Sequence, residues 1–142
     1  MALPSLKDLC TPRKSVFDKT RHDVVLDISD LIAGTIKAGD FFDENFVTDG
    51  MKTLLNEAFR RFAGDSEQSV FVLSQAMGGG KTHNMIALGL LAAHPDIRKK
   101  VSPEISKYEK LGTVRVVGFS GRQSDEPLGI RPAPYRHESI WN

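Results

Sequence analysis

One stretch, residues 69–93, sets most of what this chain can fold into. It opens on Ser69-Val70-Phe71-Val72-Leu73-Ser74-Gln75, an apolar run rich in β-branched and aromatic residues, which predicts a strand. Ala76-Met77-Gly78-Gly79-Gly80-Lys81-Thr82 follows, and then His83 to Ala93, a mostly apolar segment of helix length. Strand, glycine-rich loop ending in Lys-Thr, and helix, in that order, form the pattern of a nucleotide-binding P-loop.

Each residue type in that pattern has its own physical reason. A triphosphate needs several N–H donors converging on its oxygens, so the backbone must wrap closely, and glycines without a Cβ permit it. The loop runs into a helix, whose unpaired first N–H groups and dipole favour an anion. Lys81 is placed to reach the β- and γ-phosphates as a point charge, and the Thr82 hydroxyl to coordinate Mg²⁺, a hard cation that takes oxygen ligands. The candidate nucleotide-binding residues are therefore Met77, Gly78, Gly79, Gly80, Lys81, Thr82 and His83, with Thr82 also the candidate metal ligand. His83 and Asn84 stand in the first helical turn, where contact with a nucleotide and exposure to water are both open to them. The motif GxxxxGK[ST] asks for glycine six residues before the lysine, and that residue is Gln75. The same residues also allow a glycine-rich turn with a solvent-exposed lysine.

Composition bounds the remainder. At 142 residues one domain is expected, and a formal net charge of +1 gives no basic field that argues for nucleic acid or an anionic membrane. The single cysteine, Cys10, leaves no internal disulfide and fits a reducing cytosol. Lys7 and Asp8 interrupt the apolar residues of the first ten, unlike a signal peptide. The longest apolar run, Met85 to Ala93, is far short of the ~20 residues that span a bilayer. A cytoplasmic location is the expectation.

Along the chain, Met1 to Val25 is punctuated by Pro4 and Pro12 and locally basic at Arg13, Lys14, Lys19 and Arg21, which predicts an extended arm or short helical turns. Ser29 is the expected cap of a short helix, Asp30 to Ala33, stopped by Gly34, and Asp40 the start of another that runs to Phe46. Val24-Val25-Leu26-Asp27 has the outline of a Mg²⁺-orienting strand, but it is short and precedes the loop, so Asp27 reads better as a cap or surface residue. Thr48 to Gly64 is predicted helical, with Met51, Leu54, Leu55, Ala58, Phe59 and Phe62 on one face. Arg60 and Arg61 fall on the other, as a solvated face or a trans-acting arginine. Pro95 stops the loop's helix, and Arg98-Lys99-Lys100 is read as a solvated basic triplet. Pro103 to Lys110 is expected as a charged surface helix or loop. Thr113 to Ser120 is the second predicted strand, followed by a loop in which Arg122 and Asp125 are positional candidates.

From about Leu3 to Ile130 the chain resembles the start of a large bacterial ATPase family, whose members carry a domain of unknown function and are encoded with DNA methyltransferases in anti-phage defence islands. The resemblance rests on Pro4-Ser5-Leu6-Lys7-Asp8-Leu9-Cys10-Thr11-Pro12-Arg13, on Ala76 to His83, on Val114-Arg115-Val116-Val117-Gly118-Phe119-Ser120-Gly121-Arg122, and on Asp125, Pro127, Leu128, Gly129 and Ile130. It implies an AAA-like P-loop fold, ATP with Mg²⁺ as ligand, and DNA methyltransferase and other defence-operon proteins as partners. Many helicase-like and AAA-like ATPases also lack the first glycine of the motif. Relatives continue beyond Ile130 where this chain enters a proline-containing tail, so a truncated chain is the expectation. The fold class expected is α/β, a partial P-loop NTPase domain with an N-terminal helical segment and an incomplete parallel sheet. Its divisions are residues 1–47 (arm and short helices), 48–130 (partial ATPase domain) and 131–142 (disordered tail). Two functions follow: an ATP-binding module of an ATPase subunit, or a non-catalytic remnant that binds nucleotide weakly without turnover.

Overall fold

The computed structural model describes residues 5–12, 17 and 25–118. Its helices are α1 (Leu6–Leu9), α2 (Ile28–Ala33), α3 (Ala38–Glu44), α4 (Asp49–Phe62), α5 (Lys81–Ala93), α6 (Pro95–Val101) and α7 (Pro103–Ser106), followed by a 3-10 turn at Glu109–Leu111.

The predicted amphipathic helix forms as α4. Thr48 caps it, its hydroxyl oxygen accepting from the Met51 N–H at 3.2 Å, and Met51, Leu55, Ala58 and Phe59 are buried on one face. Phe62, expected on that face, lies at its margin and is 37 % exposed. α5 buries nearly its whole circumference, from Asn84 to Ala92, as its apolar sequence requires. Gly89, inside α5, is where α2 comes closest: a Cβ there would collide with the side chain of Leu31. The two helices therefore meet through an absent side chain.

α2 begins at Ile28, two residues earlier than the sequence suggests. Asp27, not Ser29, is the cap: its carboxylate accepts from the Ser29 N–H at 3.0 Å, while the Asp30 carboxylate accepts from the Asp27 N–H at 3.0 Å. This is a reciprocal capping box, with carboxylates at both ends. α3 likewise starts at Ala38, two residues before Asp40, and ends at Glu44; Phe41 is buried, whereas Phe46 is 83 % exposed.

The core joins α3, α4, α5, α6 and α7 around Phe41, Leu55, Phe59, Ile86, Leu90, Leu91, Ile97, Ile105 and Tyr108. The segment expected as a charged surface piece, Pro103 to Lys110, thus contributes two core side chains, Ile105 and Tyr108. Tyr108 stacks on Phe59, ring centres 5.7 Å apart. Arg98 is also a correction to the solvated triplet: Lys99 and Lys100 are exposed, but Arg98 is fully buried. Its guanidinium lies 4.8 Å over the Phe59 ring. It donates to the carbonyls of Leu91 (2.7 Å), Ala92 (2.8 Å), Tyr108 (2.9 Å) and Gly112 (2.7 Å). Burial pushes its pKa down, yet no carboxylate is needed because four of its five N–H donors are taken by backbone oxygens.

The expected α/β fold with an incomplete parallel sheet is not what forms: among the described residues there is no strand. Residues 69–75 and 113–118 alternate in exposure as strands do, but they do not pair. Phe71 and Leu73 are half-buried while Val70 and Val72 are 71 % and 81 % exposed. In the second segment Val114 and Val116 face inward and Arg115 and Val117 outward. The Val114 N–H bonds to the Ala92 carbonyl of α5 at 2.9 Å, a helix end rather than a neighbouring strand. β-branched composition fixes the conformation and the two faces of a segment, whereas a sheet needs a partner backbone in register, which these segments do not give each other.

The positional candidates Arg122 and Asp125, the tail 131–142, the end of the second predicted strand and the basic residues Arg13, Lys14, Lys19 and Arg21 lie outside the described residues. Among the described residues no helix is long and apolar enough to cross a membrane.

Candidate functional site

The glycine loop closes on itself between the extended segment and α5. The Gly79 N–H bonds to the Ala76 carbonyl at 3.0 Å, making a tight turn, and the Asn84 N–H bonds to the Gly80 carbonyl at 2.9 Å, starting the helix. Gly78 and Gly80 sit at φ +79° and +76°, a region that costs an L side chain about 1–2 kcal/mol. Gly79 has no such φ; its requirement is space, since a Cβ there would stand 2.6 Å from Gln75 Cβ and 3.0 Å from the Ala76 oxygen. Three consecutive glycines thus serve two different needs.

Lys81 closes the ring. Its ammonium donates to the Gln75 carbonyl at 2.6 Å and to the Ala76 carbonyl at 2.9 Å, six and five residues back. An ammonium has three N–H donors, so one remains for an outside acceptor while the other two hold the loop shut. The lysine is therefore folded across the bend and not turned away from it.

At the start of α5, Gly80 is the cap and supplies no side-chain acceptor, and no acidic residue stands in the first turn. The 13-residue helix consequently presents its first N–H groups and the positive end of its dipole uncompensated at the loop. Thr82 is half-buried there, and its hydroxyl has no partner among the described residues. Gly78, Gly79 and Met77 are exposed, so the loop's backbone is open to a ligand.

Other predicted residues are placed elsewhere. His83 lies against α3, its ring 5.8 Å from that of Phe41, so its side chain contributes packing. Asn84 is buried with its Oδ1 unpartnered among the described residues. Arg60 pairs with Glu57 at 3.0 Å, and Arg61 donates to the Ser66 carbonyl at 3.0 Å, so both arginines are engaged at the C-terminal end of their own helix. Asp27 caps α2, as its sequence context suggested over a metal-orienting role. Among the described residues no group of three or more His, Cys, Asp or Glu side chains converges on one point. The residue that sequence reasoning missed at the loop is Gln75. In the motif it counts only as a missing glycine, while its side-chain stem and its carbonyl both help to shape the turn.

A model of the DUF499 N-terminal domain matches residues 7–128. The chain belongs to the DUF499 family. The match takes in the whole of the loop, α5 and the core that supports them, so the geometry described above lies inside the DUF499 domain. Neither the curated proteins nor the solved structures contain a match to the chain.

Proposed function

We propose that this DUF499 chain binds the triphosphate of a nucleotide, ATP, at the turn from Gln75 to Thr82. The observation that carries the reading is Lys81 bonded to the Gln75 and Ala76 carbonyls at the mouth of an uncapped helix. That arrangement holds a cation, through two backbone carbonyls, beside the unpaired N–H groups of a helix start, and a chain of phosphate oxygens needs both the charge and the donors. The backbone N–H groups of Gly78, Gly80, Lys81 and Thr82 hold the phosphates, that of Gly79 being bonded to the Ala76 carbonyl, and Lys81 neutralises them with its remaining donor. The free Thr82 hydroxyl is the protein's ligand for Mg²⁺, which supplies charge neutralisation when bound. Met77 and His83 take part through their backbone, since one side chain projects to solvent and the other packs on Phe41.

The resemblance to an AAA-like ATPase of bacterial anti-phage defence supports ATP as the nucleotide, and makes a DNA methyltransferase and other products of the same operon the partners to test. Equilibrium dialysis with labelled ATP, with and without Mg²⁺, decides the binding. Retention by the wild type and its loss in Lys81→Ala, with the melting temperature preserved, is the expected result. No retention by the folded wild type overturns the proposal. Turnover is measured separately, because the residues at the loop are binding groups and a hydrolytic step also calls for a water-positioning residue.

A further inference from the structure

The departure from the P-loop pattern at Gln75 has a counterpart inside the loop. The pattern reserves the position six residues before the lysine for glycine and leaves the position two before it free. Here the assignment is reversed: Gln75 carries a side chain and Gly79 carries none. The geometry gives the reason. A Cβ built on Gly79 falls 2.6 Å from Gln75 Cβ and 3.5 Å from Gln75 Cγ, inside van der Waals contact for the first and at contact for the second. Both positions open onto one small space, and that space holds one side-chain stem.

From this we infer that Gln75 and Gly79 are an exchange pair, in which Gln75 acts as a positioning residue: its stem fills the space over Gly79 and holds the turn at the curvature that Lys81 closes. The inference rests on the nucleotide-binding reading for its functional consequence, although not for its steric content. Gln75 touches the loop at two points, since its carbonyl accepts from Lys81 Nζ at 2.6 Å and its Cβ abuts Gly79. A residue pushed away from Gly79 must therefore also pull on the lysine. The relevant atom is Cβ and not the carboxamide, so alanine at position 75 preserves the conflict and only glycine relieves it.

Five proteins test this: the wild type, Gly79→Ala, Gln75→Gly, Gly79→Ala with Gln75→Gly, and Gly79→Ala with Gln75→Ala. Each is measured twice, for Mg²⁺-ATP affinity by equilibrium dialysis and for ligand-free melting temperature. Gly79→Ala is expected to weaken ATP about tenfold or more, the usual scale for an overpacked contact that must move backbone. Adding Gln75→Gly recovers affinity in part, because the Ala76 oxygen still lies 3.0 Å from the new methyl. Adding Gln75→Ala recovers nothing. Equal affinity for Gly79→Ala and the wild type overturns the inference, as does equal rescue by glycine and alanine at position 75. Should the wild type bind no ATP, the binding proposal fails while the melting temperatures still decide the pair. Rescue of stability by Gln75→Gly alone then upholds it, and additive losses refute it.

Discussion

Replacing Arg98 by methionine keeps the aliphatic stem and removes every donor from a guanidinium that is fully buried. The cost can be worked out acceptor by acceptor. The Leu91 carbonyl near the end of α5 faces, four residues on, Pro95, which has no N–H, so the 2.7 Å bond from Arg98 Nε takes the place of the missing helical one. Ala92 and Tyr108 retain second donors, the N–H groups of Val114 and Leu111 at 2.9 and 3.0 Å, and Gly112 is exposed to water. One stranded buried carbonyl costs about 1–3 kcal/mol, and each bond lost at an otherwise satisfied carbonyl about 0.5–1.5 kcal/mol. The cation over Phe59 contributes about 1 kcal/mol more. Against this, methionine has no charge to desolvate, which returns part of the sum. The net expectation is a loss of about 3 kcal/mol, a large share of a stability of about 5–15 kcal/mol, and a fall in melting temperature of about 10 °C. Urea and thermal unfolding followed by circular dichroism read it directly. Arg98→Lys should fall at least as far, because three donors on one nitrogen cannot span carbonyls drawn from three segments. A change below about 0.5 kcal/mol in Arg98→Met refutes the reasoning, since the carbonyls must then be satisfied without the guanidinium.

Thr48→Ala removes the acceptor for the Met51 N–H and should cost about 1 kcal/mol in urea unfolding with the slope unchanged. Asp27→Ala breaks the capping box of α2 and should cost about 1 kcal/mol, additive with Thr48→Ala because the two caps share no partner. The Glu104 carboxyl is held below its ordinary range by its own backbone N–H, then by the Ser102 hydroxyl, with Lys52 and Lys107 assisting. A depressed folded pKa contributes stability that is present above the unfolded value and lost as pH falls through the folded one. Between about pH 6 and about pH 3 the wild type should therefore lose more melting temperature than Glu104→Gln, and parallel curves would contradict this.

Much of the helical framework is legible in the residues. Met51, Leu55, Ala58 and Phe59 recur at helical steps behind a threonine, and local geometry alone turns that into α4. The glycine loop and the helix behind it also follow from short-range chemistry, because φ and helix entry are decided within a few residues. Arg98 is different. Beside Lys99 and Lys100 it reads as one more solvated charge, and the signal that removes it from solvent is Pro95, which leaves a helix carbonyl without its donor. That signal lies in the sequence but becomes a contact only when Tyr108 and Gly112 arrive from farther along. Residues 69–75 and 113–118 fail as a sheet for a related reason: alternation belongs to one segment, and pairing belongs to two. Ile105 and Tyr108 sit among charges at Glu104, Lys107, Glu109 and Lys110, so composition hides a buried face that spacing reveals only once α6 packs over it.

The clamp formed by Arg98 grips α5 at the end opposite the glycine turn. A helix of 13 residues is a strut of roughly 20 Å, stiff along its axis. A small axial shift imposed at Lys81 therefore emerges at Leu91 and Ala92, where the Val114 amide is fastened. Any such displacement would be read in the exchange rate of that one amide proton.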